Sequence, residues 1–195
     1  MKNVFQKESI DSLVSDLDFA HNNKHRMEDL IANFSKLKPN VPFSPRLNDW
    51  ITNWYEQHKE IFIFTDYDDF DGKDIKGTLQ RHVDRFKTTG KIHIWKGASN
   101  DTIFSEPEKN HFFRAVHEFC HISNGLGFDF IGESIVCALQ IGMLPNDWIF
   151  EKQLIVTEII GQNQYFSIHK EFVRDQRLFS IQYLQNPYKA IFTKQ

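Results

Sequence analysis

The chain has 195 residues, 41% of them apolar and 25% charged, enough for one domain whose 19 Phe and 4 Trp can fill a core. A formal net charge of −3 gives duplex nucleic acid no broad basic surface to bind, though local basic patches stay open. Two cysteines are too few for a secreted disulfide framework, no apolar leader follows Met1, and no run approaches the ~20 apolar residues of a membrane span, so a reducing cytoplasm is the expected compartment.

Residues 1–195 read as one domain in three parts: a helical N-terminal part (1–57), a small sheet with a crossover helix (58–104) and a helical bundle (105–195). Residues 8–36 predict two helices, with Ile10, Leu13, Val14 and Leu17 on one stripe and Met27, Leu30, Ile31 and Phe34 on another. Pro39, Pro42 and Pro45 predict an extended connection, followed by a short helix over 47–55. The apolar run 61–64 reads as a buried strand, 74–86 as helix and 91–95 as a second strand, an order that suits a right-handed βαβ crossover. Residues 102–104 are expected to add a short third strand. Ser105 and Glu108 match a capping box, with Pro107 in the first turn, and Asn124-Gly125 ends the helix they open. Further helices are expected over 130–142, 148–169 and 172–184. The fold class is therefore α+β and mostly helical, a small β-sheet packed on a C-terminal helical bundle.

His117-Glu118-Phe119-Cys120-His121 spells H-E-x-x-H inside the helix that starts near Ser105. Residues four apart share a helical face, so both imidazoles can reach one metal ion from a rigid element. Glu118 points about 100° around the helix. There it flanks a metal instead of filling its shell, and can hold or deprotonate a metal-bound water, the chemistry of zinc peptidases. A third ligand is needed. The connection Gly125-Leu126-Gly127-Phe128 is short, so the next helix should pack antiparallel and begin beside His121. That makes Glu133 the best candidate; the competing reading is an acid stabilised at a helix N-terminus.

Glu158 is a further candidate. It sits among Leu154, Ile155, Ile159 and Ile160, with Gln162 and Tyr165 following on a similar face. It could be a fourth ligand, a partner of a ligating histidine, or part of a two-metal site; the alternative is the solvated side of an amphipathic helix. His111 is expected at the surface, and His93 faces the cleft only if the sheet covers the motif helix. His82 and His169 have no supporting pattern. The acidic run from Asp66 to Asp74 fails the EF-hand register, with Tyr67 at the first position, and reads as a strand-end turn before a helix. No Gly-rich phosphate loop and no Gly-x-Ser-x-Gly elbow is present. Cys120 points off the histidine face, and both cysteines read as buried free thiols.

Two resemblances rest on these residues. His117-Glu118-x-x-His121 resembles the zincin metallopeptidases. More narrowly, Glu133, Ala138 and Met143-Leu144-Pro145 resemble the ligand helix of small zinc peptidases that cleave phage and plasmid repressors, although the loop between His121 and Glu133 is shorter here. Over residues 85–180, the segments around Gly90 to Trp95, Arg114 to His117, Gly132-Glu133 and Glu158 to Gln162 are similar to an uncharacterised family of tailed-phage and bacterial proteins. The first resemblance implies a zinc-dependent, peptidase-like hydrolase acting on a protein or peptide substrate. His117, His121 and Glu133 would bind one zinc, with Glu118 as general base. The second implies a phage accessory or virion protein whose metal is structural or absent, in the host cytoplasm if phage-encoded. A di-iron-like site using Glu118, His121, Glu133 and Glu158 is the remaining alternative, although only one E-x-x-H pair falls within it.

Overall fold

The computed structural model describes residues 40–195, and Ala32 besides; the two helices expected over 8–36 lie outside the described residues. The first helix whose bounds are described, α1 (Pro45–His58), starts earlier than its apolar pattern implied. Ser44 accepts a hydrogen bond from Leu47 N, and Pro45, expected to belong to the extended connection, occupies the first turn, where a missing N–H costs nothing. Its inner face carries Leu47 and Ile51, each 1% exposed. Burial of such a side chain contributes ~1.5–3 kcal/mol.

β1 (Phe62–Thr65) and β2 (Ile92–Trp95) pair in parallel, with Phe62 opposite Ile92 and Thr65 opposite Trp95. The crossover between them is α2 (Ile75–Thr89), capped by the Asp74 side chain and ended by left-handed Gly90. Among the described residues the sheet has these two strands alone. The expected third strand at 102–104 does not form. That segment turns instead, burying Ile103 and Phe104 in the core and giving the Ile103 carbonyl to Phe43 N.

The motif helix is α3 (Pro107–Asn124). Its capping box is not realised. Ser105 has φ +67 and accepts from Arg177 Nη1, so the cap position falls to Glu106, which makes no side-chain cap bond. Gly125, also left-handed, ends α3, and α4 (Phe130–Met143) follows, capped by Asp129. The stretch expected as one helix over 148–169 is α5 (Ile149–Val156), a π-helical turn (Thr157–Gly161) and α6 (Gln162–His169). At the end of the π turn a Cβ on Gly161 would lie 2.9 Å from Tyr183, closer than a side chain tolerates. The helix expected over 172–184 begins later, as α7 (Gln176–Gln185), because Lys170 takes a left-handed conformation and Asp175 caps the new start. A further helix, α8 (Pro187–Phe192), was not anticipated.

The fold is thus mostly helical α+β. The larger core joins α1, α3, α4 and α5 through Leu47, Ile51, Phe112, Phe113, Cys137 and Leu154. A second packs the sheet on α3 through Phe62, Ile92, Ile94, Ala115 and Ile122. Both cysteines are free and buried, as expected. Among the described residues no helix is long and apolar enough to cross a membrane.

Candidate metal centre

The turn between α3 and α4 delivers the candidate ligands. The N–H groups of Gly125 and Leu126 both return to the His121 carbonyl. The start of α4 then packs so tightly beneath this turn that a Cβ on Gly132 would stand 1.8 Å from Gly127 O. Only glycine fits, and its successor Glu133 is brought to the two histidines. His117 Nε2 lies 3.4 Å from Glu133 Oε2, His121 Nε2 3.5 Å from Glu133 Oε1, and the two Nε2 atoms are 3.1 Å apart. Among the described residues this is the group of His, Cys, Asp and Glu side chains whose atoms converge closely enough to hold a metal ion.

These separations fit a small cation. Ligand atoms ~2.0–2.1 Å from a tetrahedral zinc stand about 3.3–3.4 Å from one another. The ring tautomers fit as well. His121 Nδ1 is 3.0 Å from the main-chain carbonyl of Leu126, and His117 Nδ1 is 3.3 Å from Gln140 Oε1. A carbonyl oxygen only accepts, so each Nδ1 is the donor. A neutral imidazole then carries a bare lone pair at Nε2. Two such lone pairs and a carboxylate converge, which is repulsive unless a cation joins them, either a metal ion or a proton taken up by His117. Outer partners of this kind orient ligating histidines. His121 is fully buried and Gln140 is 1% exposed.

Burial alone would raise Glu133, but His117 and then His121 hold its carboxyl down to about 2. Burial would lower His117, and the Glu133 carboxylate outweighs it, so the imidazole is raised.

A cavity of about 490 Å³ opens beside the group, and His117, Glu118, Glu133, Glu158 and Gln162 are among the residues that line it. Glu118 Oε2 is buried and makes no hydrogen bond; the nearest titratable partner is His82 Nδ1, 4.0 Å away. His82 comes from α2, is itself buried, and its Nε2 lies 3.0 Å from Asp69 Oδ1. Asp69 is held in turn by Arg85 Nη2 at 2.5 Å. Burial would raise Asp69, but Arg85 and His82 bring it below the ordinary carboxylate range.

Glu158 is not in the three-residue group. Its carboxyl accepts from Gln162 Nε2 at 2.9 Å and lies 3.2 Å from Ser180 Oγ. Burial pushes it up to about 8. Ser180 Oγ is also 2.7 Å from the Gln176 carbonyl, which can only accept; the hydroxyl proton goes there and leaves Oγ to accept from a protonated Glu158. Of the polar line expected along this helix, Gln162 faces the cavity, whereas Tyr165 is fully buried with its hydroxyl accepting from Gln195 N.

The other sequence candidates separate clearly. His93 does line the cavity, its Nδ1 3.1 Å from the Tyr67 hydroxyl. His111 sits elsewhere, half-buried, against the Lys96 carbonyl. Asp66 pairs with Lys96 at the surface, and Asp68 caps the turn at Phe70 N. Three residues were missed. Gln140 follows Glu133 by seven positions, two turns along the same face of α4, which is a usable signal. His82 and Asp69 carry no such signal, because only the placement of the crossover helix brings them to Glu118.

No protein-family model matches this chain, and neither does any curated protein or solved structure. The fold and the site define it as a mostly helical α+β protein with a candidate two-histidine, one-glutamate centre at the edge of a cavity.

Proposed function

We propose that the chain is a metal-dependent hydrolase of the zincin kind, with one zinc ion held by His117, His121 and Glu133 and a peptide or protein substrate. The observation that carries the reading is the convergence of two imidazole nitrogens and the two oxygens of one carboxylate, at 3.1–3.5 Å, while a backbone carbonyl ties down His121 Nδ1. A catalytic rather than structural role is supported by the ligand count. Structural zinc sites close their shell with four protein ligands, whereas this group has three among the described residues and borders a cavity. The resemblance of His117 to His121 to the zincin motif points the same way.

A zinc ion bound there supplies Lewis acidity to a substrate carbonyl and lowers the pKa of water. The chain's own residues do the rest. Glu118, with an oxygen that no other group satisfies, accepts the proton that an attacking water gives up and returns it to the departing amine nitrogen. Asp69 fixes His82 through Nε2 and so aims Nδ1 toward Glu118, limiting where that carboxylate can swing. Gln140 and Leu126 hold the two imidazoles with Nε2 inward.

The test begins with protein purified without chelator. Elemental analysis should find close to one zinc per chain, chelation should lower Tm, and the loaded protein should cleave an unfolded protein such as reduced casein. Absence of metal, together with no rise in Tm on adding zinc, would falsify the reading. Bound zinc with no cleavage of any unfolded substrate would reduce the site to a structural one.

A further inference from the structure

The cavity beside the candidate centre is asymmetric in charge, and that asymmetry constrains the substrate. Its walls include the aromatic rings of Phe70, Trp95, Phe113, Phe128, Phe166 and Phe172. Among the described residues that line it, the single guanidinium is Arg114 and there is no lysine. Arg114 is already spent on the backbone: Nη1 donates to the carbonyls of Trp95 and Gly97, and Nη2 to that of Ala98. Burial lowers His93, so it adds no positive charge near neutrality. Against this stand five carboxyls: Asp68 accepts from Phe70 N, Asp69 is engaged by Arg85 and His82, and Glu133 by the two imidazoles, which leaves Glu118, with an oxygen lacking any hydrogen bond, and Glu158, whose neighbours are a carboxamide and a hydroxyl. Arg114 keeps its charge and attracts Glu118 and Glu158, but its guanidinium is turned to the backbone carbonyls, so an incoming carboxylate or phosphate finds no lysine and no unengaged guanidinium among these lining residues. A long basic side chain finds aromatic surface for its methylenes and cation, and an acid to meet its charge.

Building on the metal-hydrolase reading, we propose that this cavity selects a lysine- or arginine-like side chain of the substrate, and that Glu158 is the residue that meets its charge. The π turn that carries Glu158 is then a specificity element, in keeping with the frequent placement of such turns at functional sites. Glu158 stays protonated near neutrality while the cavity holds no cation, and an ammonium beside it draws the proton off.

The experiment is calorimetric binding to the zinc-loaded full chain, with three probes that share a metal-binding head: the Nα-acetyl hydroxamates of lysine, norleucine and glutamate. The lysine probe should bind about tenfold more tightly than norleucine, as one charge-assisted contact of ~1.4 kcal/mol requires, with glutamate weakest. Glu158→Gln, which keeps size and hydrogen bonding, should bring the lysine and norleucine affinities within about twofold of each other. Equal affinities for lysine and norleucine in the unaltered chain, a preference for glutamate, or no binding of any probe to protein shown to hold zinc would each overturn this proposal and leave the metal centre standing. A chain that takes up no zinc at all would overturn both. The probe series needs no variant, so a misfolded Glu158→Gln does not rescue the idea.

Discussion

Glu133 and Glu158 line one cavity from different elements, the start of α4 and the π turn, and their carboxyls end on opposite sides of the ordinary range. Burial pushes both upward. For Glu133 the two imidazoles at 3.4 and 3.5 Å reverse the effect and bring it to about 2. For Glu158 the partners are Gln162 and Ser180, neither charged, with only the more distant Arg114 attracting; burial wins and the carboxyl rises to about 8. The same side chain at similar depth is thus ionised in one place and protonated in the other, because the partner decides what burial does. One carboxyl is preset to hold a cation; the other waits for one.

The largest break in this contrast is His121→Ala. It removes one lone pair from the centre and one of the two rings that offset the burial of Glu133. Zinc occupancy should fall from one per chain to near zero. The chain should also lose about 3–5 kcal/mol, the usual cost of leaving a buried charge without its partner, added to the loss of metal-linked stability. Elemental analysis and denaturant unfolding in the presence of zinc check both. Full occupancy in the variant would make His121 an ordinary core histidine.

Glu118→Gln probes the acid that belongs to neither extreme. The amide keeps the shape and cannot take a proton. Metal content should stay at the unaltered level while turnover of the cleaved substrate drops by roughly 10²–10⁴. Loss of metal instead would turn Glu118 into a ligand and revive a two-metal arrangement. No change in either quantity would leave it a helix residue with no part in the chemistry.

Glu158→Gln sharpens the other pole. The unfolded chain releases this proton near the ordinary 4.5, whereas the folded chain keeps it until about 8. Between these values the folded state binds more protons, so raising the pH favours unfolding. The contribution is intact below pH 4.5 and is lost as pH rises toward and through 8. The variant should therefore match the unaltered protein near pH 4.5 and be the more stable of the two at pH 8.5, by on the order of 3 kcal/mol. Comparing the two chains at each pH cancels the titration of the metal ligands. A constant difference across the range would show that Glu158 titrates normally.

How much of this was readable in advance follows from how local each feature is. The pair His117 and His121 needs only helical periodicity, and Glu133 needs only a turn too short to wander, so both were legible. The π turn and the protonated state of Glu158 were not, because they depend on α7 packing against Gly161 and on Ser180 arriving from it. The capping box at Ser105 failed for the same reason: Arg177, 72 residues away, takes the hydroxyl. The extra strand at 102–104 has β-formers but no edge to join. By contrast α8 was announced by Asn186 followed by Pro187, a cap and a first-turn proline that went unused.

Gln140 offers the smallest effect and the finest test of the lone-pair argument. Its carbonyl oxygen is the acceptor that fixes His117 with Nε2 inward, as the Leu126 backbone does for His121. The backbone cannot be mutated; Gln140 can. Gln140→Ala should lower zinc affinity by roughly 10–100-fold, the usual range for losing a histidine's outer partner. His121 should keep its tautomer in the nitrogen spectrum while His117 samples both. A buried amide also packs, so alanine alone could act by leaving space. Gln140→Glu separates the two effects: it keeps the volume and offers a stronger acceptor to Nδ1–H, so it should hold zinc at least as tightly as the unaltered chain. If both substitutions weaken zinc equally, Gln140 matters through packing. If neither does, the inward lone pair of His117 is not held by this residue, and convergence on one cation loses half its support.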